Sequence, residues 1–145
     1  LEERVMIVTS EMDLEVRYYE TDLMGIVHHS NYVRYFECGR NKWLQDVGIS
    51  IVEIERLGIM MPVVSVECNY KLPARMGDIL HIVTTVEQRP MARITVFTKI
   101  YNKVEMNLLC EGKVVLGFIH SDTRRPTRAP QIFMDRIEDY LNKNN

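Results

Sequence analysis

The sequence predicts an α+β protein in which one long apolar helix is wrapped by an antiparallel sheet, with a short helix at the C-terminal end. Three observations carry this prediction. One strong helical periodicity runs through SNYVRYFECGRNKWLQDVG, and strand-like patterning dominates from Pro62 to His120. The strand-like segments are joined by hairpin-length turns, not by crossover helices, which points to antiparallel pairing. Element by element, MDLEVRYY (Met12–Tyr19) places Leu14, Val16 and Tyr18 on one face and Glu15, Arg17 and Tyr19 on the other, the alternation of a half-buried strand. ETDLMGIVHH breaks that alternation. A helix is expected from about Asn31 to Val47, where Tyr32, Tyr35, Phe36, Gly39, Trp43 and Val47 recur at helical spacing, Ser30 caps the start and Gly48 marks the stop. Gly39 costs about 1 kcal/mol against Ala in a helix interior, so its presence predicts the close approach of another element.

A loop or short second helix follows around Ile51–Leu57. Strands are expected over Pro62–Tyr70, Asp78–Glu87, Ala92–Tyr101 and Leu108–His120, separated by the turn signals PARMGD, Arg89-Pro90 and Asn102-Lys103. From Pro130 to about residue 142, Phe133, Ile137, Tyr140 and Leu141 share one face of a short amphipathic helix.

No repeat, low-complexity tract or linker interrupts the 145 residues, so a single domain is expected, with its core over about residues 12–130. A chain of this length buries roughly 68–70% of the surface its unfolded form exposes and needs no disulfide or metal to build a core. The longest apolar run, Ile59–Val64, falls far short of the roughly 18–20 residues of a membrane span. A net charge of −2 lacks the basic surplus of a nucleic-acid binder. Cys38, Cys68 and Cys110 form no CxxC pair, which favours buried free thiols in a reducing compartment over a zinc or redox motif. The opening LEERVMIVTS lacks the apolar stretch and cleavage site of a secretory signal. A cytoplasmic protein with no membrane span and no nucleic-acid partner is the expectation.

The densest run of ionisable residues, Tyr18–Glu37, straddles the end of the first strand and the start of the helix. Asp22 lies in an irregular loop among Leu23, Met24, Ile26 and Val27, so its carboxylate is expected to be partly desolvated. Seven residues on, His29 stands just ahead of the helix, where free backbone N–H groups and the macrodipole favour negative charge. A carboxylate facing a helix N-terminus suits acyl transfer: the carboxylate attacks or activates water, and the N–H groups hold the developing oxyanion. A thiolate leaving group with a pKa of about 8.5 departs near neutral pH with little acid assistance, so a thioester would need no further acid. As sequence neighbours His28 and His29 diverge, and no third ligand stands nearby, so no metal site is expected. Asn31 and Tyr32 are expected to secure the helix start. Glu37 fits either a second acid/base or an ion pair with Arg40 on the helix face.

The run Y-x-E-T-D-x-x-G-x-V-H-H-x-N-Y-x-x-x-F-E, from Tyr18 to Glu37, resembles the signature of hotdog-fold thioesterases of the YbgC and 4-hydroxybenzoyl-CoA thioesterase group. YKLPARMGD, Tyr70–Asp78, resembles the same group's strand-to-turn motif, and the strand order agrees through about Pro130. The resemblance implies a hotdog fold, a long central helix wrapped by a five-stranded antiparallel sheet, associated edge to edge as a homodimer or homotetramer with active sites at the subunit interface. It implies acyl-CoA thioester hydrolysis with no resident cofactor, coenzyme A being part of the substrate. Asp22 is then the general base or nucleophile, Gly25 the tight turn into the helix, His29 the second site position through its side chain or its backbone N–H, and Tyr18 a further site tyrosine.

Val27, His28, Asn31, Tyr32 and Glu37 fall among the substrate-binding positions on this resemblance. Arg75, Arg89, Arg124 and Arg125 offer cations for the nucleotide phosphates, though each taken singly reads more readily as solvated surface than as a ligand. The acyl group (short, medium or aromatic) and the carrier (coenzyme A or acyl carrier protein) stay open. Two other readings stand beside hydrolysis: a hydroxyacyl thioester dehydratase pairing His29 with Glu37, and a non-catalytic acyl-thioester binding module.

Overall fold

The computed structural model describes residues 6–144; the first five residues, half of the stretch read above for a signal segment, lie outside the described residues. In chain order the elements are β1 (Val8–Glu15), a 3-10 turn (Tyr18–Glu20), α1 (Ser30–Val47), α2 (Ile51–Arg56), β2 (Ile59–Met60), β3 (Val63–Tyr70), β4 (Ile79–Val86), β5 (Arg93–Asn102), β6 (Leu108–Gly117), β7 (Ile119–His120) and α3 (Gln131–Lys143). The five long strands form one antiparallel sheet in the order β1-β4-β5-β6-β3, and β2 pairs with β7 in a separate ribbon. The α1 helix lies across one face of the sheet, the expected α+β layout.

The period-two pattern explains why the sheet buries that face. Leu80, Ile82, Thr84 and Val86 of β4 alternate with half-buried neighbours, and Ile94, Val96, Thr98 and Ile100 of β5 alternate with mostly exposed ones. Opposite them α1 buries Tyr32, Tyr35, Phe36, Trp43, Leu44 and Val47, each large apolar side chain contributing about 1.5–3 kcal/mol by leaving water. Trp43 also donates its indole N–H to the Val8 carbonyl at 3.0 Å, tying the helix to an edge strand.

Across the middle of the sheet the register aligns Ser10, Thr84, Thr98, Gly112 and Cys68, one residue from each strand. This row of small side chains lets the helix descend. A Cβ built on Gly39 would lie 2.4 Å from Thr84 Oγ1 and 2.9 Å from Ile82 Cγ2, so the close approach expected at Gly39 is present. At the far end α3 packs Phe133 against Trp43 and Phe118, with ring centroids 6.5 and 5.6 Å apart. Arg136 of α3 donates to the Gly48 carbonyl and pairs with Glu53 at 3.2 Å, fixing the end of α1 to α2.

Several expectations shift. The first strand runs over Val8–Glu15, not Met12–Tyr19: the Arg17 N–H donates to Glu20 Oε1 at 2.7 Å and the Thr21 N–H to the Tyr18 carbonyl at 3.1 Å, so the chain curls away once Val16 is buried. Ser30 is the first helical residue and not the cap, because His28 Nδ1 already accepts the Ser30 N–H at 3.2 Å. The last strand breaks at Phe118, where two residues peel off to pair with β2. Of the three free thiols, Cys110 is buried and Cys68 half-buried, but Cys38 faces solvent from α1. Among the described residues no helix is long and apolar enough to cross a membrane.

Candidate active site

The loop between the 3-10 turn and α1 is built by a dense set of backbone bonds. The Asp22 N–H donates to the Ile26 carbonyl at 2.8 Å and the Gly25 N–H to the Asp22 carbonyl at 3.0 Å, closing a tight turn in which Gly25 takes φ +75°, a left-handed conformation that favours glycine. The Met24 N–H donates to Asp22 Oδ1 at 2.8 Å. One carboxylate oxygen is thereby anchored, while Oδ2 receives no hydrogen bond from a described residue.

The helix start is held from both sides. Asn31, buried, donates its side-chain amide to the Glu20 carbonyl at 2.8 Å, and the His28 N–H reaches the same oxygen at 2.9 Å. Val27 donates to the Ala74 carbonyl at 2.8 Å, and the Ala74 N–H donates to the Tyr32 hydroxyl at 3.3 Å. Burial pushes the Tyr32 phenol above its ordinary range. His28 does not diverge from His29 as expected but stacks on it, with centroids 4.2 Å apart, because its Nδ1 takes the Ser30 N–H; the Asn31 and Tyr32 N–H groups go to the carbonyls of His28 and His29. The His29 N–H makes no hydrogen bond to a described residue.

Both groups border a groove of about 400 Å³ lined by Asp22, Met24, Ile26, Val27, His29, Tyr32 and the segment from Tyr70 to Pro73. The groove therefore brings together the Asp22 residue and the residue at the N-terminus of α1, beside an apolar and aromatic wall. Its one lining cation is Lys71, whose nearest carboxylate, that of Glu111, is 4.0 Å away. Among the described residues no group of three His, Cys, Asp or Glu side chains is disposed to hold a metal.

Of the residues singled out in the sequence, Asp22, Val27, His29 and Tyr32 line the groove, and Gly25, His28 and Asn31 shape the backbone around it. Arg75 does not line the groove; its backbone is bridged to Ile26, which does. The remainder are placed elsewhere in the single chain. Tyr18 is 79% exposed on the 3-10 turn, since the chain has already left the sheet. Glu37 projects to solvent 3.9 Å from Arg40 and does not line the groove. Arg89 pairs with Glu138 of α3, and Arg124 and Arg125 lie exposed after β7. Leu23 and Met24 project into solvent, so Asp22, half-buried, is less covered by its own loop than its apolar neighbours suggest.

Tyr70, Lys71, Leu72 and Pro73 were not among the candidate residues. They open the YKLPARMGD motif, which was legible as a strand-to-turn signal but carried no mark of facing a groove.

A helix cradled by a five-stranded antiparallel sheet, with an acidic loop and a helix N-terminus opening on one groove, is the hotdog class of fold. The chain belongs to the thioesterase-like superfamily, whose profile matches residues 16–137. It is 32% identical to the DHNA-CoA thioesterase structure from Staphylococcus aureus, with a TM-score of 0.83 covering 94% of this chain and 91% of that one. It is 40% identical over 78 residues to YneP of Bacillus subtilis, a candidate acyl-CoA thioesterase, a match covering 54% of this chain. That match spans a little over half of YneP, 56% of its length. The acyl-CoA thioesterase YbgC of Helicobacter pylori is 25% identical over 133 residues, 87% of this chain and 98% of the relative.

Proposed function

We propose that this chain is an acyl-CoA thioesterase that hydrolyses its substrate at the groove between Asp22 and His29. The observation that carries the reading is that Asp22 and His29, whose Oδ2 and N–H have no hydrogen-bond partner among the described residues, line one cavity. The thioester carbonyl oxygen points at the His29 N–H, which holds the negative charge that develops as the carbonyl carbon becomes tetrahedral. In one route Asp22 takes a proton from water as the water oxygen attacks. In the other Asp22 itself attacks and water cleaves the resulting anhydride. In the first route collapse of the tetrahedral centre expels the coenzyme A thiolate and leaves the free acid; in the second it expels the thiolate and leaves the anhydride, whose hydrolysis releases the free acid and restores the Asp22 carboxylate.

The rings of His29, Tyr32 and Tyr70 meet edge to face along the groove, with centroids 5.4 Å apart for Tyr32 and Tyr70 and 6.5 Å for His29 and Tyr70. That wall suits a flat aromatic acyl group, as does the aromatic substrate in the name of the staphylococcal relative. Lys71, which lines the groove, is a better placed cation for the coenzyme A phosphates than Arg89, which is occupied by Glu138. The dehydratase pairing is disfavoured because Glu37 lies outside the groove.

The functional unit is proposed to be a homodimer or higher oligomer. The edge strand β3 exposes Val63, Val64 and Val66 along a strand with one unpaired side, an edge that a second copy would cover. A panel of acetyl, medium-chain, benzoyl and hydroxynaphthoyl coenzyme A thioesters, followed by free-thiol release at neutral pH, tests the activity. Turnover of at least one class supports it. Tight binding with no thiol release from any member would favour a binding module instead.

A further inference from the structure

Tyr70 ends β3 at the point where the strand meets the start of α1. Its hydroxyl donates to the His29 carbonyl at 3.2 Å, and its ring packs edge-on against both His29 and Tyr32. The side chain is 51% exposed, and the residue lines the groove. On the reading that Asp22 and His29 form the reacting pair, we propose that Tyr70 is a positioning residue for hydrolysis, holding the His29 carbonyl and ring, and through them the His29 backbone, so that the His29 N–H of the preceding peptide unit is aimed at the substrate carbonyl.

The need for such a device is visible in how His29 is held. It occupies the N-cap position with already helical φ −54° and ψ −31° and makes no side-chain capping bond. Besides Tyr70, its carbonyl has a 3.3 Å bond from the Tyr32 N–H, a long one. Tyr70 is the only side chain that donates to this carbonyl among the described residues. Because β3 is an edge strand and Tyr32 is tied to Ala74, the Tyr70–Tyr32 contact also couples the strand end to the segment that closes the groove.

The Tyr70 hydroxyl remains a donor through the neutral range, since the neighbouring Cys68 thiol, and after it burial, pushes its pKa up to about 12. It is thus suited to holding a carbonyl and unsuited to taking a proton from water. A displacement of about 1 Å in an active-site group can cost about a hundredfold in rate, so a modest bond at this point has kinetic leverage.

Tyr70→Phe removes the oxygen and keeps the ring, and Tyr70→Leu removes both. Assayed by thiol release on the best substrate of the panel, Tyr70→Phe is expected to lower kcat about ten- to a hundredfold. Its KM should stay within about twofold and its Tm within about 2 °C, as fits loss of one exposed hydrogen bond. Tyr70→Leu should fall further in kcat. Asp22→Asn, measured alongside, separates the two readings. Parent-like kcat in Tyr70→Phe with Asp22→Asn inactive overturns the role of Tyr70 alone. So does a loss in Tyr70→Phe expressed only as raised KM or as lost folded fraction. Retained activity in Asp22→Asn overturns the reacting pair and the positioning role with it.

Discussion

Replacing Gly39 with Ala tests how α1, which carries the His29 N–H, is seated on the sheet. On propensity alone the change should stabilise the helix by about 1 kcal/mol. The seat argues the reverse. The new methyl carbon would lie 2.4 Å from Thr84 Oγ1 and 2.9 Å from Ile82 Cγ2, and both side chains are fully buried, with no room to withdraw. Overpacking of this kind costs about 1–3 kcal/mol, and contacts this short belong at the upper end, leaving a net destabilisation of about 2 kcal/mol after the propensity gain. For a chain of this size that corresponds to a Tm lower by about 4–8 °C. The measurement is urea and thermal unfolding at fixed protomer concentration, because association would otherwise shift the midpoint.

Thr84→Ala in the Gly39→Ala background removes the nearest atom, a buried hydroxyl with no hydrogen-bond partner among the described residues, and should recover more than half of the loss. A Gly39→Ala protein as stable as the parent would refute the reasoning. Strict additivity of the two changes would do the same, since residues in contact should couple.

Three further outcomes are expected. In size-exclusion chromatography at low micromolar concentration the parent should elute well above the 17.0 kDa of one chain, and Val66→Lys on the exposed β3 edge should elute as a monomer with reduced activity. A parent that elutes as a monomer would remove the case for a shared site. The Asp13 carboxyl is held below its ordinary value by its hydrogen bond to His81 and then by Lys103. The stability it contributes is present above the ordinary Asp pKa of about 3.9 and is lost as the pH falls through its lower folded value. Asp13→Asn should therefore show a shallower loss of stability below about pH 4 than the parent, and an unchanged slope would count against the ion cluster. After single-turnover hydrolysis in ¹⁸O-water, label in the Asp22 carboxylate would show attack by Asp22 with water cleaving the anhydride at the Asp22 carbon, and direct attack by water predicts label in the product acid alone.

Much of the architecture follows from local patterns that tertiary contacts reinforce. The helical spacing from Tyr32 to Val47 places α1 within one residue of its observed start, and Gly39, anomalous on propensity, marks where it touches the sheet. Where the pattern misled, a bond that the alternation does not encode prevailed. Tyr18 continues the alternation of Leu14 and Val16, but the Glu20 side chain turns the chain before Tyr18 can reach the core. Phe118 continues the run of its strand, but the pairing of the next two residues with Ile59 and Met60 breaks it.

At the site, the spacing from Asp22 to His29 was readable because both belong to one contiguous loop and helix start. Tyr70 and Lys71 were not, because they arrive from a strand forty residues away, and nothing in YKLPARMGD says which side chain faces the groove. The arginines show the same limit. Arg89 looked free in the sequence and is paired with Glu138 only because α3 folds back over it.

The most direct test of the account is the rate of free-thiol release by Asp22→Asn on the best acyl-CoA substrate. Asn keeps an Oδ1 to accept the Met24 N–H, so the loop should hold, while the free oxygen becomes an amide that can neither attack nor take a proton. Loss of a general base typically costs about 10²–10⁴-fold, or about 2.7–5.5 kcal/mol in barrier. The account predicts a fall of at least about a hundredfold with an unchanged Tm. Activity within about threefold of the parent would contradict it, since a base worth the lower end of that range would already cost more.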